Sequence, residues 1–154
     1  SLIVNSQLQT SQPDIYAAGD IVSWPDPHGE ERLHVEHWDV ARRQGRLAGR
    51  NMAGKEKQYT ALPYFFSDLY DFSFEVWGEI TNWDNLVRRG DIEDGSFAYY
   101  YFQNNRLRGV MAVGRPDEER EPMKTLPRQR PIYHEIADEL KDESFDINQL
   151  ITES

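Results

Sequence analysis

The residues best suited to chemistry stand near the start of the chain. A polar turn, Thr10-Ser11-Gln12-Pro13-Asp14, leads into the short apolar run Ile15-Tyr16-Ala17-Ala18, which ends at Gly19-Asp20. Read as a buried strand, this run delivers a small residue, a glycine and an acid to its carboxyl end, the edge where open α/β sheets hold ligands. Gly19 lets backbone approach a ligand closely, and Asp20 offers a carboxylate acceptor to hydroxyl groups. As a dipeptide alone, Gly-Asp after a strand is an ordinary turn. A second group, His34, Glu36, His37, Trp38 and Asp39, opens a Pro-free stretch that runs to Met52. The N–H groups that open a helix lack intrahelical partners and carry partial positive charge, so such a start stabilises negative charge nearby. The bland reading makes it a surface helix with Trp38 in the core. A metal reading of His34, Glu36, His37 and Asp39 lacks the second helical ligand pair of a zinc helix, and no metal site is expected.

Elements must position these groups. Leu2-Ile3-Val4 reads as a strand with no cap or turn before it. From about Glu36 to Met52 the apolar positions Val40, Leu47, Ala48 and Met52 predict a helix, closed by Ala53-Gly54. Lys55-Glu56-Lys57-Gln58 reads as a linker. In the second half Phe72, Phe74 and Val76 alternate with polar residues over Asp71–Gly78; with Leu86–Arg89, the β-prone Phe97–Phe102 and Leu107–Val113 this predicts an antiparallel sheet. Asn104-Asn105 makes a hairpin of the last two. A helix is expected from Arg128 to Asp142, and a short final one between Ser144 and Ile151. The fold class is α+β, with residues 1–58 and 59–154 as separate parts.

Composition narrows the function. The 154 residues include 17 Lys+Arg and 27 Asp+Glu, a formal charge of −10, which makes nucleic acid a poor partner. Cysteine is absent, so disulfides, thiolate metal sites and a cysteine nucleophile are excluded within this stretch. No apolar run approaches the roughly 20 residues of a membrane span, and the first residues lack the basic start of a signal peptide. A soluble, cytoplasmic protein is the expectation. Arg42, Arg46 and Arg50 recur every four residues as one basic stripe: either a solvated face or a docking strip for an acidic partner. Lys124, Arg128 and Arg130 form a second basic cluster with the same two readings. Gly45 and Gly49 are expected to let the helix pack closely on a sheet, since the surrounding arginines exclude a membrane dimer.

The run from Thr10 to Asp20 resembles the second flavin-binding motif of the pyridine-nucleotide-dependent flavoprotein reductases, T-S-x-P-x-I-Y-A-x-G-D. Val35-Glu36-His37-Trp38-Asp39-Val40-Ala41, continuing through Gln44-Gly45-Arg46 to Met52, is similar to the flavin-facing helix of the ferredoxin-reductase and apoptosis-inducing-factor branch. Phe65-Phe66-Ser67-Asp68-Leu69-Tyr70-Asp71 resembles that branch's F-W-S-D-x-Y-D element. Arg89-Gly90-Asp91 and Ala112-Val113-Gly114-Arg115-Pro116 resemble its R-G-D and A-x-N-R-P stretches. Phe66 replaces a frequent Trp and loses its indole donor; Gly114 replaces a frequent Asn.

The resemblance implies FAD as cofactor and NADH or NADPH as electron source, with a carrier protein such as an acidic ferredoxin as acceptor. It implies that Gly19 and Asp20 meet the ribityl chain, that Glu36, His37 and Trp38 stand at the pyrimidine end, and that Phe66 packs on the cofactor. No catalytic acid or base is implied. The chain's glycines form no G-x-G-x-x-G, so the expected pyrophosphate cradle belongs to the remainder of a longer flavoprotein chain, and residues 1–58 read as the last strand and helix of an FAD domain. Residues 59–154 then read as a dimerisation-like reductase domain. The alternative is a free-standing dimerisation or protein-interaction module without redox activity, a homo-oligomer paired through the Leu2-Ile3-Val4 edge.

Overall fold

A computed structural model describes residues 1–70 and 72–153. The chain divides into two compact units, Ser1–Pro63 and Tyr64–Ser154.

In the first unit, β1 (Leu2–Ile3) pairs in parallel with β2 (Val22–Pro25), and β2 pairs antiparallel with β3 (Arg32–Leu33). Helix α1 (Trp38–Met52) follows. Val4, Leu8, Val22, Trp24, Leu33, Val40, Ala48 and Tyr59 make the core, in which Trp24 meets Tyr59 edge-on at 5.9 Å. Two buried amides tie α1 to the loops: the Asn51 amide donates to the carbonyls of Gln7 and Lys57 and accepts from the Lys57 N–H, while Gln44 reaches back to residue 19. Gly54, at φ +84°, closes the helix by donating to the Asn51 carbonyl.

The strand expected at Ile15–Ala18 is not formed. A strand needs a ladder, and here the backbone bonds of Ile15 and Ala17 make only one isolated antiparallel bridge, Tyr16 opposite Gln9. The extended pairing falls later, at Val22 and Ser23 opposite β1, where Val22 and Trp24 point into the core. Gly19-Asp20 therefore precedes a strand rather than ending one. The glycines of α1 also differ from expectation: at Gly45 and Gly49 an added Cβ would meet nothing within 4 Å, so both face open space.

The second unit is a five-stranded antiparallel sheet in the order β4-β5-β8-β7-β6, from β4 (Tyr64–Leu69), β5 (Phe72–Gly78), β6 (Asn85–Asp91), β7 (Ser96–Gln103) and β8 (Arg106–Val113). All four expected strands form; Asp71 lies outside the described residues. The β7–β8 turn uses Asn104 and Asn105, both at positive φ, as a two-residue hairpin requires. Edge strand β4 was not expected as a strand. Of the helix expected over Arg128–Asp142, the part from Tyr133 forms as α3 (Tyr133–Lys141), while Arg128 and Gln129 close a separate helix, α2 (Arg120–Gln129), that the sequence reading does not contain. Between them Arg130 adopts φ +52° and Pro131 supplies no N–H, so the helix cannot continue. A 3₁₀ turn at Ile147–Leu150 stands where the short final helix was expected. The helices cover one face of the sheet, α2 on β5 and β8 and α3 on β6, burying Tyr100, Phe102, Val110, Leu126 and Leu140.

Arg89 clasps this layer. With its side chain 2% exposed, it donates to Glu119 Oε1 at 2.8 Å and to the carbonyls of Leu140, Asp142, Glu143 and Phe145, where α3 ends. Arg115 grips the same carboxylate with two bonds of 2.8 Å and reaches Glu143 at 2.7 Å. Gly90, at φ +82°, leaves room for the Arg115 guanidinium and the Ser96 carbonyl, which a Cβ would displace. The Arg89-Gly90 and Gly114-Arg115 stretches thus meet in one structural network.

Burial alone would raise the Glu119 carboxyl, but hydrogen bonds and charge from Arg115 and Arg89 outweigh it and hold it below the usual value. A depressed carboxylate stabilises the fold at neutral pH, and that contribution fades as pH falls from the ordinary carboxylate range through the lowered folded value. Arg89→Ala should cost about 3–5 kcal/mol in urea unfolding, because Glu119 would be left buried with one partner fewer. Glu119→Gln should flatten the acid limb of the stability-versus-pH curve.

Candidate functional site

The turn Gly19-Asp20-Ile21-Val22 is fixed from three sides. The Gly19 N–H donates to Gln44 Oε1 at 2.8 Å, the Val22 N–H closes the turn onto the Gly19 carbonyl at 3.1 Å, and the Leu2 N–H from β1 reaches the Ile21 carbonyl at 2.6 Å. Gly19 sits at φ +85° with the Ala41 side chain of α1 directly above it; a Cβ there would stand 3.3 Å from the Ala41 Cβ. Asp20 is exposed, and among the described residues its carboxylate has no hydrogen-bond or ion-pair partner. The backbone is held while the acceptor stays free.

Ala41 belongs to the first turn of α1, so the same contact brings the helix start to this turn. His37 is the N-cap, extended at φ −150°, and its Nδ1 accepts from the Asp39 N–H at 3.3 Å. Its imidazole therefore uses one of the orphan donors, leaving the Trp38 and Val40 N–H groups at the opening of the helix. Asp39 adds negative charge there, but Arg42 at 3.6 Å and Arg43 at 2.5 Å balance it. Trp38 is 71% exposed with the Arg42 guanidinium 4.9 Å over its ring, so it is not core. Glu36 is exposed and pairs with His34 Nε2 at 3.3 Å, while His34 Nδ1 is bound to the Val22 carbonyl at 2.9 Å. Among the described residues no three His, Asp or Glu side chains gather as metal ligands, and no helix is long and apolar enough to cross a membrane.

The basic stripe rearranges. Arg42 is occupied by Trp38 and Asp39, whereas Arg43, Arg46 and Arg50 line an open groove of about 310 Å³ with Tyr59 and Thr60. Among the described residues Arg46 and Arg50 have no carboxylate partner. Burial pushes the Tyr59 hydroxyl up to about 12, against the lowering pull of Arg43; the positive sign of the groove comes from its arginines. Gln44 and Arg43 were not singled out from sequence. Gln44 carries a weak signal, an amide among the buried positions Val40, Ala48 and Asn51 of an amphipathic helix.

In the second unit Phe66 lies on edge strand β4, 60% exposed, with its ring 6.4 Å from that of Tyr64. Tyr64 donates to Glu75 at 2.7 Å, and Arg120 also grips that carboxylate, so this edge is tied to α2.

The antiparallel sheet, roofed on one face by two helices, defines an α+β domain. The chain belongs to the Reductase C-terminal family, whose pattern matches residues 64–151. Putidaredoxin reductase CamA of Pseudomonas putida is 27% identical over 150 residues, 97% of this chain and 35% of that protein. Monodehydroascorbate reductase 4, peroxisomal, of Arabidopsis thaliana is 32% identical over 145 residues, 92% of this chain and 29% of that protein. The solved covalent putidaredoxin reductase–putidaredoxin complex superposes with a TM-score of 0.79 at 26% identity, covering 97% of this chain and 35% of that one. The chain thus spans about a third of the length of these relatives.

Gly19→Ala tests the turn. A side chain at positive φ costs about 1–2 kcal/mol and would press on Ala41, so chemical denaturation should show a loss of at least that size. An unchanged midpoint would contradict the geometry.

Proposed function

We propose that this chain supplies the C-terminal part of an FAD-dependent oxidoreductase that takes electrons from NADH or NADPH and passes them to a carrier protein. The observation that carries this reading is a free, exposed carboxylate on a locked turn, beside an open helix N-terminus, within the stretch that resembles a flavin motif. FAD, when bound, supplies the electron-transferring ring. Asp20 would accept from a ribityl hydroxyl, and the Trp38 and Val40 N–H groups would stabilise the negative charge gained on reduction. His37 holds that helix start by capping it, Glu36 steadies His34 against β2, and Phe66 offers an aromatic surface. The adenosine and pyrophosphate contacts fall to a part of the flavoprotein beyond this chain.

The acceptor reading rests on charge. A chain of −10 repels an acidic carrier at long range, but the Arg43, Arg46 and Arg50 groove reverses the sign locally, within about a Debye length of 8–10 Å. One relative is named for reducing putidaredoxin, which fits a carrier of that kind. A second reading, a dimerisation module, rests on the outer edge of β1, where Leu2 and Ile3 are exposed.

Removing one hydrogen bond to a charged group costs about 1.5–3 kcal/mol, so Asp20→Ala in the full-length protein should weaken FAD binding at least tenfold by equilibrium dialysis. Unchanged affinity would contradict the site. Arg46→Glu should weaken binding of an acidic ferredoxin and flatten its salt dependence, with FAD content unaltered.

A further inference from the structure

Gln44 is fully buried in the middle of α1, yet only half of its amide is used. Its Oε1 accepts the Gly19 N–H at 2.8 Å, while its Nε2 is a buried donor without a partner among the described residues. A side chain present only to fill this space would be apolar, like Val40 and Ala48 on the same face, because an unpaired buried donor is unfavourable. What the amide gains in return is a single bond, to the residue before Asp20.

Among the described residues, no other acceptor satisfies the Gly19 N–H. The Val22 and Leu2 N–H groups hold the turn by its carbonyls, at Gly19 and Ile21. Gln44 alone holds it by an N–H, and it does so from a rigid helix rather than from a loop. We propose that Gln44 is a positioning residue for the cofactor carboxylate: its Oε1 sets the angle at which the turn presents Asp20, and it acts on FAD only through Asp20. This rests on the proposed flavin-binding role and extends it to a residue of α1 that faces away from solvent.

A double-mutant cycle in the full-length protein tests the assignment. Gln44→Leu, of similar volume and without an acceptor, should raise the FAD dissociation constant about tenfold in the wild-type background and less than twofold in Asp20→Ala, because the effect passes through that carboxylate. Gln44→Glu should restore affinity, since either protonation state leaves an oxygen for the Gly19 N–H. Hydrogen exchange should show the Gly19 amide protected in wild type and fast in Gln44→Leu. Equal losses in both backgrounds, or no loss in either, would overturn the assignment while leaving the flavin reading standing. A wild-type protein that holds no FAD would overturn both. Should Gln44→Leu not fold, Gln44→Met, which keeps the unbranched shape, takes its place; if neither folds, the residue is structural and the assignment fails.

Discussion

The amino-terminal unit depends on one buried hydrogen bond, from the Gly19 N–H to Gln44 Oε1. Without it the left-handed Gly19 turn would rest on backbone bonds from β1 and β2, and only the Ala41 packing contact would join it to the helix whose first residues share the site. With it, a carboxylate and a helix N-terminus are placed side by side by a rigid element. The Ala41 contact sets the distance between them, because only glycine beneath it fits so close an approach at positive φ. Asn51, two turns along on the same buried face, does the same for the loops at Gln7 and Lys57. Helix α1 thus fastens its unit with amides as much as with apolar surface.

The carboxy-terminal unit solves a different problem with charge. Its sheet is roofed by two helices that Pro131 separates, and α3 ends without intrahelical donors for its last carbonyls. Arg89 satisfies several of them at once and balances its own charge against Glu119, which Arg115 shares. Two arginines on one buried carboxylate leave one positive charge, and Glu143 at the rim meets it. Burial is sustainable there because every member of the network is hydrogen-bonded.

Much of this was legible in the sequence, and the exceptions have physical causes. Strand β5 follows from alternation and β7 from its run of β-prone aromatics, and Asn104-Asn105 announces the β7–β8 hairpin. Edge strand β4 hides because aromatic residues stand on both faces of an edge, which blurs the period of two. The expected Arg128–Asp142 helix spans Arg130-Pro131, where the backbone reverses; α2 is obscured by Pro122 and Pro127, which read as breakers, although Pro122 falls in the first turn where no N–H is needed and Pro127 stands inside the helix near its end. At the site, residue types around Gly19-Asp20 were informative, whereas the strand was placed before them because apolar content cannot say where a ladder partner lies. Gln44 escaped notice since a buried amide looks, one residue at a time, like a surface position. The basic groove differs from the stripe by a single helical residue: Arg43 rather than Arg42 lines it, because Trp38 and Asp39 capture Arg42.

The most direct test of the account is the visible absorption spectrum of the purified full-length protein, recorded before and after anaerobic addition of NADH or NADPH. The account predicts oxidised-flavin bands that bleach when the nicotinamide is added and return when a carrier protein is supplied. A protein that shows no flavin bands, and gains none on incubation with FAD, would contradict it.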